Sequence, residues 1–107
     1  MTHMETLNFR FDSKPLPTAA NPALCGVVGS GNLEILVRPG DDPACCHVCI
    51  KTSARGFGEI WQAVIGDFAA AHSAGGTSVA INDMGATPAV VSLRLAQALA
   101  EYQGGVQ

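Results

Sequence analysis

The chain has 107 residues, 48% of them apolar and 14% charged, with six Lys and Arg against nine Asp and Glu for a formal net charge of −3. That length suits one domain over 1–107 with a single modest core, and so thin a positive charge excludes the dense basic face that a nucleic-acid backbone requires. No apolar run reaches the roughly 20 residues of a membrane span, and "MTHMETLNFRF" has no basic stretch followed by a leader-type apolar run, so a cytoplasmic protein without membrane contacts is expected.

Residues 1–3 precede a second methionine, Met4, and read as an extension in which His3 has no assigned role. "TLNFRF" then alternates, with Leu7, Phe9 and Phe11 on one side, as a half-buried strand does. Residues 12–23 hold three prolines and form a loop. "ALCGVVG" runs into "GSG", and "LEILVR" follows with Leu33, Ile35 and Val37 on one face. The two runs predict a hairpin with Ser30 at or beside its tip. After the turn "PGDDP", "CCHVCIKTS" predicts a strand with Cys46, Val48 and Ile50 on one face and Cys45, His47 and Cys49 on the other.

The period then changes. Phe57, Ile60, Trp61, Val64, Ile65 and Phe68 recur at helical spacing, predicting an amphipathic helix that ends near His72. "TSVAIND" returns to strand alternation, and "MGATP" leads into a second helix with Thr87 as N-cap and Pro88 at the first position. Val91, Leu95, Ala98, Leu99 and Tyr102 stripe that helix, which Gly104 and Gly105 end. The expected fold is α+β: a mostly antiparallel sheet of about four to five strands, with two amphipathic helices on one face. The order strand, helix, strand, helix at the C-terminal end leaves room for one parallel crossover.

Ser30 is the conspicuous candidate residue, because Gly29 and Gly31 strip away neighbouring side chains and let the backbone turn sharply. "GVVGSGNLE" fails as a dinucleotide fingerprint, which needs a third glycine opening a helix, and as a phosphate loop, which needs Gly-Lys-Ser/Thr. It also fails as a nucleophile elbow, because Val28 and Asn32 stand where glycines are required. From pattern alone Ser30 is either a hairpin-turn residue or an exposed attachment point. Cys45, His47 and Cys49 share a strand face, the residue types of a thiol or zinc site. Three such positions along one strand span about 13 Å, too far to close a tetrahedral site, so packed reduced thiols are the simpler reading. His72 suits the C-terminal dipole of its helix, Asp83 a hydrogen-bonding role at the strand end, Gly85 the bend that follows, and Trp61 the core.

The blocks "METLNFRF", "GVVGSGNLEILV", "FGEIWQAV" and "INDMGATPAVVSLRLAQAL" resemble the acyl carrier (delta) subunit family of bacterial malonate decarboxylase, and more distantly the citrate lyase carrier subunit. The resemblance implies a non-catalytic carrier whose Ser30 bears 2'-(5''-phosphoribosyl)-3'-dephospho-coenzyme A through a phosphodiester, with Gly29 and Gly31 flanking it. Asn32 stands where the resemblance leads one to expect aspartate. The implied cargo is acetyl and malonyl thioesters. The implied partners are the acetyl/malonyl transferase (alpha) subunit, the decarboxylase (beta and gamma) subunits, the prosthetic-group transferase and the malonyl-loading transferase. The cysteine-rich strand is no part of that resemblance. An unmodified assembly subunit, or a small thiol or metal protein using Cys45, His47 and Cys49, are the alternatives.

Overall fold

A computed structural model describes residues 4–16, 26–30 (backbone only) and 32–103. The elements are β1 (Glu5–Asp12), β2 (Gly26–Ser30), β3 (Leu33–Pro39), β4 (Cys45–Thr52), α1 (Gly58–Ala71), β5 (Thr77–Asp83) and α2 (Pro88–Tyr102). The strands form one five-stranded sheet in the order β1-β4-β5-β3-β2. All pairings are antiparallel except β4 with β5, the crossover that α1 makes possible. The α+β expectation holds, including the mixed sheet.

Both helices cover one face. Ile35, Ile50 and Ile81 rise from three strands to meet Ile65 of α1 and Leu95 of α2, all of them essentially inaccessible. Each such side chain contributes about 1.5–3 kcal/mol by leaving water. The α2 stripe is buried as its spacing predicts, and Thr87 caps the helix, its Oγ accepting the Val90 N–H at 3.3 Å with Pro88 in the first turn. Gly104 and Gly105 lie outside the described residues.

The α1 stripe departs from expectation at one end. Trp61, Ile65 and Phe68 are buried, but Phe57 and Ile60 are each 46% exposed. Phe57 is the N-cap rather than a helical residue, and both side chains flank the stripe on the side toward α2, where they rim an opening instead of meeting the sheet. His72 is the C-cap, its ring centroid 5.1 Å from that of Phe68.

The end of the sheet where β4 and β5 begin is tightly closed. The Ser13 hydroxyl accepts the Ala74 N–H and lies within 2.9 Å of the carbonyl oxygens of Ala69 and His72, tying the segment after β1 to the end of α1. Thr77 donates to the Ala74 carbonyl at 2.6 Å. Gly75 packs so closely that a side chain there would meet the carbonyl oxygens of Pro43, Ser13 and Lys14.

Candidate functional site

Ser30 is the last residue of β2, an edge strand, and pairs with Leu33, the first residue of β3. Leu33 in turn pairs with Asp83, the last residue of β5, and Asp83 with Thr52, the last of β4. One row of backbone therefore runs from Ser30 across the sheet to the two strand ends from which the helices depart. Gly29 lies within β2 opposite Glu34, while Gly31 and the surroundings of the Ser30 hydroxyl fall outside the described residues.

The "INDMGATP" segment folds against this end. The Met84 N–H donates to the Asn32 carbonyl at 2.9 Å, joining the β5–α2 junction to the residue two places after Ser30. Asp83, 2% exposed, organises that junction. One carboxylate oxygen accepts the Thr52 hydroxyl at 2.8 Å, and the other accepts the backbone N–H groups of Gly85 and Ala86 at 3.2 and 2.8 Å. Thr52 Oγ accepts the Ala54 N–H, so the same network fixes the loop entering α1. Gly85 makes the bend at φ +112°, a conformation that costs an L side chain strain. The strand-end role expected of Asp83 and the bend expected of Gly85 are what the structure shows.

Since β4 and β5 are parallel and both end here, α1 and α2 both begin here. Their positive dipole ends share one end of the molecule with Ser30. Between the two helix starts lies an apolar pocket of about 260 Å³, walled by Phe57, Ile60, Trp61, Val64, Pro88 and Val91, with Asp83, Gly85 and Ala86 from the β5–α2 junction also lining it. Met84, 58% exposed, stands on the same junction. Local periodicity did not reveal this pocket, because its walls come from both helices and both junctions; the only signal was an aromatic and an isoleucine at the weakly packed start of the α1 stripe.

The cysteine strand behaves differently. Cys46 is fully buried in the core with its sulfur 3.3 Å from the Thr77 hydroxyl oxygen, and burial pushes its thiol pKa up. Cys45, also buried but on the opposite sheet face, directs its thiol toward the carboxylates of Asp42 and Asp12 at 3.5 and 3.7 Å. Arg10 pairs with Asp42 at 2.7 Å. Cys49 is half-buried and His47 exposed, and the three described cysteines are free thiols. Among the described residues no group of three or more His, Cys, Asp or Glu side chains is placed to hold a metal ion. No helix among them is long and apolar enough to cross a membrane.

The five-stranded sheet with both helices on one face, and Ser30 at the end of its edge strand, define a small α+β domain. Residues 20–102 match the family model of the malonate decarboxylase delta subunit (MdcD). The malonate decarboxylase acyl carrier protein of Acinetobacter calcoaceticus is 50% identical over 101 residues, covering 94% of this chain and 99% of the relative. That of Burkholderia cepacia is 57% identical over 102 residues, covering 94% and 92%. A chain in the crystal structure of a Pseudomonas malonate decarboxylase hetero-tetramer in complex with malonate superposes with a TM-score of 0.74 at 37% identity, covering 92% of this chain and 99% of that one. This chain belongs to the malonate decarboxylase acyl carrier protein family.

Proposed function

We propose that this chain is the acyl carrier subunit of a malonate decarboxylase, that Ser30 carries 2'-(5''-phosphoribosyl)-3'-dephospho-coenzyme A, and that the chain itself performs no catalytic step. One observation carries the assignment to Ser30: the strand end bearing this serine is joined in register to the "INDMGATP" junction. The two sequence blocks that most specifically resemble the carrier family thus form one end of the molecule.

The residues present suit such a group. The attachment residue ends an edge strand, where a large substituent need not displace a neighbouring strand, and two helix N-termini favour the phosphodiester charge. When bound, the arm supplies a thiol that holds acetyl and malonyl groups as thioesters. The chain's part is to tether that thiol and present it to the transferase and decarboxylase subunits, raising its local concentration at each. No general base is needed beside Ser30, because the prosthetic-group transferase provides the chemistry of loading. The match to a chain within a hetero-tetramer supports a multisubunit setting.

The test is intact-mass analysis of the chain co-expressed with the enzymes that make and transfer the arm, followed by peptide mapping. A nucleotide-sized adduct on the Ser30 peptide, absent from Ser30→Ala, is the expected result. Full malonate decarboxylation by a complex containing Ser30→Ala would overturn the reading and favour an unmodified assembly subunit.

A further inference from the structure

The pocket between the starts of α1 and α2 has no part in the attachment itself. It is open to solvent through Phe57 and Ile60, each nearly half exposed, and Trp61 forms an inner wall at 6% exposure. We propose that this pocket seats the adenine base of the arm attached at Ser30; the inference rests on that reading of Ser30 and deepens it.

Reach comes first. Ser30 and Asp83 are two strand spacings apart in one register row, so the Asp83 edge of the pocket stands about 10 Å from the attachment backbone. In the proposed arm only a phosphate and two ribose rings separate the serine oxygen from adenine, which places the base within that radius. The thiol end lies on the far side of a diphosphate and would have to fold back past it.

Chemistry selects the same occupant. Among the described residues the only charged side chain lining the pocket is Asp83, and both of its oxygens are already committed to Thr52, Gly85 and Ala86. Among the described residues the wall holds no cationic side chain, only the weak field of the helix starts, and burying a charge without a counter-ion is costly, so a malonyl carboxylate or a diphosphate is disfavoured. A neutral planar heterocycle is not. The rings of Phe57 and Trp61 and the flat face of Pro88 offer stacking surface that an aliphatic chain would not use. At the rim, α1 starts without a side-chain cap, which leaves first-turn N–H donors for the acceptor edge of the base. At about 260 Å³ the pocket falls just under the roughly 300–1,000 Å³ of sites for drug-sized ligands, the scale of one ring system rather than of the whole arm.

The tether makes a weak site sufficient. A free nucleoside held by stacking alone binds in about the millimolar range, and a short flexible link supplies an effective concentration of about the same size. The base is then seated for a substantial fraction of the time, and the rest of the arm pivots from a fixed point near the helix starts rather than from the hairpin tip.

Trp61 is the chain's single tryptophan and reports on this pocket directly. Its emission, and the methyl NMR signals of Val64 and Val91, are compared between loaded and unloaded full-length chain; the unloaded chain is titrated separately with adenosine and with pantetheine. Expected results are a quenched Trp61 in the loaded chain and saturable quenching by adenosine near millimolar concentration. Phe57→Ala, at a half-exposed position that the core does not need, should weaken adenosine several-fold, and Ala86→Leu, which fills the pocket, should abolish its effect. A chain shown by mass to be loaded at Ser30, with Trp61 and methyl signals identical to the unloaded chain, overturns the pocket and leaves the Ser30 reading intact. Signals moved by pantetheine but not adenosine overturn it in favour of the thiol end, and signals that move only when a partner subunit is added overturn it in favour of protein docking. A chain that stays unloaded while adenosine still quenches Trp61 defeats the Ser30 reading and leaves a base-binding pocket.

Discussion

The two ends of the sheet are built on opposite principles. Where β4 and β5 begin, backbone meets backbone: Gly75 has no room for a methyl group, Ser13 and Thr77 tie loops to the end of α1, and Arg10 pairs with Asp42. Where they finish, a Cβ on Gly85 would meet nothing within 4 Å, α1 starts uncapped, and Phe57, Ile60 and Met84 are left exposed. Domains of this size have little stability to spare, so apolar surface left open at one end while the other is sealed supports the proposal that puts the working site at the open end.

Substitutions can break that contrast, and the largest effect is functional. Ser30→Ala should abolish loading and carrier activity while leaving the melting temperature of the unloaded chain essentially unchanged; a large drop in melting would mean that the open end is structural after all. Gly75→Ala should be the most destabilising change, about 3 kcal/mol, because the new methyl group displaces carbonyl oxygens rather than flexible side chains. Gly85→Ala meets no atom and pays only backbone strain, about 1–2 kcal/mol. Urea denaturation at constant m-value checks the pair, and equal losses would erase the difference between the ends.

Asp83→Ala should cost about 2–3 kcal/mol, since it leaves a buried hydroxyl and two backbone N–H groups without their acceptor. Because Asp83 also lines the pocket, its loss should perturb Trp61 emission more than an equally destabilising change at the closed end. Thr87→Ala removes the α2 cap and should cost about 0.5–1 kcal/mol by thermal melting.

The smallest effect concerns acid. The Ala44 N–H, the Cys45 thiol and Arg10 hold the Asp42 carboxyl below its ordinary pKa. Its contribution is therefore present above the ordinary carboxylate value and lost as pH falls through the lowered one. Asp42→Asn keeps an acceptor for Ala44 but removes the charge, so its deficit in melting temperature relative to the parent should be slight near neutrality and vanish toward acid pH. A deficit that persists unchanged in acid would show that the carboxylate charge has no part in closing this end.

Much of this was legible in the sequence. The alternation of β1 and β4, the α2 stripe, its Thr-Pro start and the single serine between glycines all follow from periods and residue types that act over a few positions. Strand order was not legible, because β1 pairs with β4 some forty positions away and no local pattern records that choice. Phe57 and Ile60 were counted with the core because helical spacing identifies an apolar stripe but not whether a second helix stands far enough off to leave its flank open. The pocket escaped for the same reason.

The β2–β3 hairpin also has a place in the order of synthesis. Its two strands are adjacent in the chain, so β2 and β3 can pair soon after leaving the ribosome. The layer beneath them is another matter: α2 packs on both strands, and it is the last element made. A chain released before the 15 residues of α2 are made would keep its serine yet lack the helix that backs the hairpin. Packing of the hairpin is thereby tied to synthesis of α2.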